Sequence, residues 1–169
     1  KEIRKYASIF LLFLPLLLQG VDIQPISFSD NEKSIDIGKD VWFIEDVTAN
    51  LGIEEIIHSK NFIKSKQKVP TFWFTKSNIW MKFKIQNNSS KNDLLLSINS
   101  PLIDQVELYY LNKRNKYESI NMGQNIDFDE RKYKQPGYIY DLNIESGETK
   151  EFYLKLKSFD QIQVPLKVT

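Results

Sequence analysis

The sequence predicts an all-β chain, an antiparallel jelly-roll or β-sandwich with one short helix near residues 50–58. Three observations predict it. About seven short segments alternate apolar and polar residues with the period of two that puts one strand face in a core and the other in water. Turns rich in Asn, Gly, Ser and Pro separate them at the spacing of a sandwich. Only Thr48 to Ile57 carries a helical stripe, through Leu51, Ile53, Ile56 and Ile57.

The strongest strand is Ile79 to Asn87. Ile79, Met81, Phe83 and Ile85 share one face, and Trp80, Lys82 and Lys84 the other. Upstream, Ile35–Gly38 and Val41–Asp46 read as an extended entry. In the helical stretch Asn50 is the expected N-cap, with Glu54 and Glu55 in the first turn where carboxylates are favoured. Asn61 to Lys76 has no period and is interrupted by Pro70, so it reads as a lysine-rich loop. Downstream strands are Leu94–Ile98, Asp104–Leu111, Tyr117–Ile120, Tyr138–Ile144, Phe152–Leu156 and Ile162–Val168, with a hairpin turn at Asn112–Asn115.

The N-terminal stretch has a different character. Lys1, Arg4 and Lys5 precede a mostly apolar run of 12 residues, Ala7 to Leu18. A spanning helix needs about 20 apolar residues, so residues 1–20 read as a signal peptide. Residues 21–34 are polar and without period, and read as a flexible lead-in; residues 35–169 form the extracytoplasmic domain. Without residues 1–20 there remain 20 basic and 21 acidic residues. A near-neutral domain with interspersed signs gives no electrostatic case for nucleic acid.

Catalytic signatures are absent from the sequence. No cysteine occurs, which excludes disulfides and thiolate chemistry. The single histidine, His58, closes the helical stretch, where it is a dipole partner more readily than a triad member. Asp127, Asp129 and Glu130 are weak candidates for oxygen ligands to calcium, but the calcium-loop pattern with its central glycine is missing, so no metal and no cofactor is expected. Asn87-Asn88-Ser89 fits a glycosylation pattern and reads as a turn. The aromatics remain. Trp80, Trp73, Tyr109 and Tyr153 are out of phase with the inward residues of their segments. Such rings either stack on flat ligands or cover a second layer of core.

From about Ile35 to Thr169 the chain resembles the type-2 extracellular sensor domain of bacterial seven-transmembrane receptors with diverse intracellular signalling modules. The resemblance rests on ordered stretches: Trp42–Asp46 with Leu51–Ile56, then Ile79–Asn87, Pro101–Tyr109, Gly123, Arg131, Ser146–Thr149 with Phe152–Leu156, and Pro165-Leu166. Gln124, Ser146 and Lys82 depart from the usual pattern. The resemblance implies a carbohydrate-binding-module-like, galactose-binding-like fold in the periplasm. It also implies a small-molecule or carbohydrate ligand, and attachment to the inner membrane through segments after Thr169. The expected ligand residues are Trp80, Lys82, Lys84 and Tyr109 on strands, with Trp73 and Arg131 from loops. Three functions stay open: a non-enzymatic ligand-sensing input domain, a protein-interaction or dimerisation module of the same receptor class (a homodimer among its partners), and a secreted glycoside-active enzyme.

Overall fold

The computed structural model describes residues 22–169. The signal peptide expected at residues 1–20 lies outside the described residues. The elements run β1 (Ile26–Ser29), β2 (Ile35–Asp36), β3 (Trp42–Asp46), α1 (Ile53–Ile56), β4 (Ile63–Lys64), β5 (Thr71–Phe72), β6 (Asn78–Asn88), β7 (Leu95–Ile98), β8 (Gln105–Leu111) and β9 (Tyr117–Met122). After a 3-10 turn at Phe128–Glu130 come β10 (Tyr138–Asp141), β11 (Thr149–Lys157), β12 (Ile162–Gln163) and β13 (Leu166–Val168).

The strands build an antiparallel β-sandwich. One sheet has the order β4-β3-β6-β11-β8-β9, with β1 added to β6, and the other has the order β10-β7-β13-β2. β5 and β12 form a short ribbon at one end. The eleven-residue β6 is central. β11 runs along one side of it from Ile79 to Gln86. The other side is shared by β3, opposite Asn78 to Lys82, and by β1, opposite Ile85 to Asn88.

Alternation decides what meets between the sheets. Ile79, Met81, Phe83 and Ile85 are fully buried against Leu96, Ile98, Leu166 and Val168 of the facing sheet. Phe83 and Phe152 stack with centroids 5.5 Å apart. Two tyrosines span the layers by their hydroxyls: Tyr140 donates to the Val106 carbonyl at 2.9 Å, and the Tyr138 hydroxyl lies 2.8 Å from the Ile103 carbonyl. A buried tyrosine must place its O–H on such a partner.

Four differences from the sequence expectations have local causes. Residues 26–29, in the stretch read as a flexible lead-in, form β1, the one parallel strand among the described residues. It has no alternation to reveal it; Phe28 supplies its buried anchor, and Asp30 accepts from Ser90 N–H at 3.0 Å. The helix is a single turn, entered at Gly52 and not Asn50. The Asp46 carboxylate accepts from Thr48 N–H at 3.1 Å and Leu51 N–H at 3.0 Å, which holds the preceding residues in a turn. The last strand is broken into β12 and β13 at Val164-Pro165, because proline has no N–H to give a ladder. The Tyr138–Ile144 strand ends at Asp141, before Asn143 at φ 48°.

Candidate ligand-binding site at the loop end

Of the sequence-predicted residues, four gather on the outer face of the larger sheet. Lys82 of β6 lies directly across from Tyr153 of β11, which lies across from Tyr109 of β8; Trp80 is one outward position along β6. This face is not open. Trp80 is 0% exposed and Lys82 5%. The segment between β3 and β4 lies over them: Ile56 and Phe62 are buried with Trp80 and Tyr153, and Leu51, Ile53 and Ile57 pack around them. The expected wet face is therefore a second core layer, and the ligand-stacking role read for Trp80 is corrected. The signal was ambiguous by nature. A strand's outward tryptophan looks the same in sequence whether water or a crossing segment covers it.

The charges on the covered face are paired, although the buried Trp80 indole N–H has no hydrogen-bond partner among the described residues. The Trp80 and Tyr109 rings are 5.3 Å apart, and Lys155 Nζ lies 5.5 Å from the Trp80 ring centroid. Lys82 Nζ is 3.3 Å from Glu151 and over the Tyr153 ring. Lys84 Nζ pairs with Asp22 at 2.7 Å and with Glu151 at 3.6 Å. Tyr109 donates to Glu107, and Tyr153 to Glu151 at 2.6 Å. Burial first, and then the neighbouring carboxylate, pushes both phenols well above their usual range. Every charge here has an opposite one beside it, which is how a sheet tolerates burying lysines.

The other two candidates, Trp73 and Arg131, belong to one end of the sandwich. The registers fix that end. β3 finishes at Asp46 opposite Asn78, where β6 begins. β11 finishes at Lys157 opposite Gln105, where β8 begins, and β9 finishes at Met122 opposite Val106. The segments after Asp46, before Asn78, before Gln105, after Met122 and after Lys157 therefore emerge together. They carry Val47, Trp73, Phe74, Leu102, Phe128 and Phe159, six of the large apolar side chains that stand in solvent, with Trp73 and Phe74 each 72% exposed and Phe159 71%.

Backbone and side-chain bonds fix these loops. The β5–β12 ribbon runs Phe72 opposite Ile162, so the segments carrying Trp73-Phe74 and Phe159 leave it from the same end. Phe159 N–H donates to Asp104 Oδ2 at 3.0 Å, joining two loops. Thr75 Oγ1 donates to Glu45 Oε1 at 2.8 Å at the root of the Trp73 loop. Gly123, at φ 141°, passes so close to the Asp104 carbonyl that a Cβ would sit 2.2 Å from its oxygen. Arg131 organises the loop after β9. Its Nη2 donates to the Gly123 carbonyl at 3.0 Å, and its guanidinium lies over the Phe128 and Tyr138 rings at 5.8 and 5.2 Å. Arg131 thus props the loop end, while Trp73 is free at its rim. Phe74 and Phe159, missed in the sequence, sit in stretches without period, so nothing there distinguishes an exposed ring from a buried one.

Asp127, Asp129 and Glu130 stand exposed on the 3-10 turn. Among the described residues no three His, Cys, Asp or Glu side chains are grouped to hold a metal ion. His58 is exposed just beyond α1. Asn87 is fully buried and its carboxamide donates to the Ile144 carbonyl at 2.8 Å; Asn87 and Asn88 end strand β6 and the turn begins only at Ser89, so the reading of the glycosylation-like triplet as a turn holds for its last residue alone.

Together these features define a β-sandwich closed on one sheet face and presenting apolar rings from loops at one end. The family described as 7TMR-DISM extracellular 2 matches residues 38–169, and the chain belongs to that family. That family is one of extracellular sensor domains, which makes the chain a sensing domain placed outside the cytoplasm. No curated protein matches the chain. A solved structure of TmCBM61 in complex with β-1,4-galactotriose is similar at 7% identity and a TM-score of 0.42, covering 78% of this chain and 89% of that one.

Proposed function

We propose that the chain is the non-enzymatic, ligand-sensing input domain of a bacterial membrane receptor, and that its ligand is taken at the loop end. The observation that supports this most is the convergence of Trp73, Phe74 and Phe159 in solvent on loops braced by Asp104 and Arg131. Flat and ring-bearing ligands, carbohydrates among them, stack on such rings, and neighbouring polar groups set their orientation. Thr169 pairs with Leu95 at the opposite end of the smaller sheet. A polypeptide continuing from Thr169 towards a membrane would therefore leave the rings facing away from it.

Screening the purified domain against glycan and metabolite panels tests this. Binding that weakens at least tenfold in Trp73→Ala, with an unchanged melting temperature, supports the reading. Binding that ignores Trp73, Phe74 and Phe159 alike contradicts it. A second reading, a homodimer through the same end, is favoured by the breadth of the apolar surface, since Val47 and Leu102 stand exposed beyond the three rings. A concentration-dependent mass in sedimentation, lost in Trp73→Ala, would decide for it.

A further inference from the structure

The two outer faces of the sandwich differ. The larger sheet's is sealed by the α1 segment, as described above. The smaller sheet's carries a groove of about 350 Å3 instead. Its floor is a row set by register: Ile139 of β10 lies opposite Ser97 of β7, Ser97 opposite Lys167 of β13, and Lys167 opposite Asp36 of β2. All four point away from the core, because their strand neighbours Tyr138, Leu96, Val168 and Ile35 point into it. Asn99 and Gln135 stand at the margin nearer the loop end.

The chemistry of this row is specific. Three strand spacings of about 4.8 Å make it about 14 Å long. A spacing of that size is close to the length of one pyranose unit, so successive units of an extended saccharide would meet successive strands. The charges compensate within the groove: Asp36 lies 2.9 Å from Lys68 and 3.9 Å from Lys167. A neutral ligand with many hydroxyls suits such a surface, because carboxylate, ammonium, hydroxyl and carboxamide can each donate or accept. Neither the Asn99 nor the Gln135 carboxamide spends a hydrogen bond on another described residue. Ile139 and Pro165 supply the apolar floor that the C–H face of a sugar needs. Gly137 lets the segment before β10 pack directly on the end of β7, since a Cβ there would sit 2.7 Å from the Ile98 carbonyl oxygen.

We infer that the outer face of the four-stranded sheet is a binding groove for an extended, neutral oligosaccharide laid across β10, β7, β13 and β2. This rests on the ligand-sensing reading and adds a site and a ligand length to it. Asn99 and Gln135 border the long side of this row nearer the loop end, where they face the flank of a chain seated in it.

The test is chain-length dependence. Titrating the domain with mono- to tetrasaccharides of each glycan that binds should show affinity rising at least tenfold with length. That rise should vanish in Ser97→Trp, which fills the row, and in the Asn99→Ala, Gln135→Ala double variant, whose exposed positions leave folding intact. Saccharides that bind without length dependence, or groove variants that keep it, overturn the groove and leave the sensing reading standing. If no saccharide binds, the groove assignment is overturned. The sensing reading is then judged separately by thermal shift against non-carbohydrate metabolites.

Discussion

Trp80 and Trp73 invite opposite experiments. Trp80 is sealed between β6 and the α1 segment, so Trp80→Ala should cost about 3–5 kcal/mol of stability, the usual price of emptying a buried tryptophan site. Trp73 touches solvent on most of its surface, and Trp73→Ala should stay within about 0.5 kcal/mol. Urea unfolding of the two variants checks both values. Periodicity did reveal which side of β6 each residue occupies, and the inward set Ile79, Met81, Phe83 and Ile85 packs as its alternation requires. What covers the outward set was not legible. Residues 51–62 are brought over Trp80 by the turn that Asp46 holds and by apolar contacts far apart in sequence, and a period-two pattern on β6 holds no trace of either. Trp73 lay in a stretch without any period, where aromatics more often pack than face water, and its 72% exposure had no sequence signal.

At the scale of elements, the cover over the outer face depends on little regular structure. α1 is four residues long, and its first N–H groups have one side-chain partner, Glu55 Oε2 on Gly52 N–H at 3.0 Å. A helix this short owes its stability to packing and to the turn before it. Asp46 accepts two backbone N–H groups and the Thr48 hydroxyl there. Asp46→Ala should therefore cost about 2 kcal/mol and raise hydrogen exchange across residues 51–62 above that of β6 and β11. Unaltered exchange in that segment would show that packing alone holds the cover. Ala49 sits at φ 54° in the same turn, a region where a Cβ is strained. Ala49→Gly should leave stability unchanged or raise it slightly, measured in the same unfolding series. β1 makes a parallel point about sequence. Four residues beside a long central strand need only Phe28 as an anchor, too few for a pattern to show. Phe28→Ala should cost about 3–4 kcal/mol, whereas a disordered lead-in would tolerate it.

The whole molecule joins a sealed sheet face, an open one and an apolar loop end, and a carboxylate holds one segment beside each sheet, Asp46 the turn after β3 and Asp141 the loop before β10. Burial pushes the Asp46 and Asp141 carboxyls up, but hydrogen bonds outweigh it, from Thr48 and Leu51 for Asp46 and from Lys132 and Tyr133 for Asp141, and both are held below their usual range. A depressed carboxylate stabilises the fold above its unfolded pKa of 3.8 and loses that contribution as pH falls through the folded value. Stability should therefore be level down to about pH 4 and fall below it. Asp46→Asn should flatten part of that fall in acid unfolding followed by circular dichroism. The central claim concerns which tryptophan meets the ligand. It is tested most directly by following intrinsic fluorescence during ligand titration in Trp73→Phe and Trp80→Phe. The account predicts that the ligand-induced change survives in Trp80→Phe and disappears in Trp73→Phe. A change that persists in Trp73→Phe and is lost in Trp80→Phe would contradict it, and would place the ligand on the face that α1 covers.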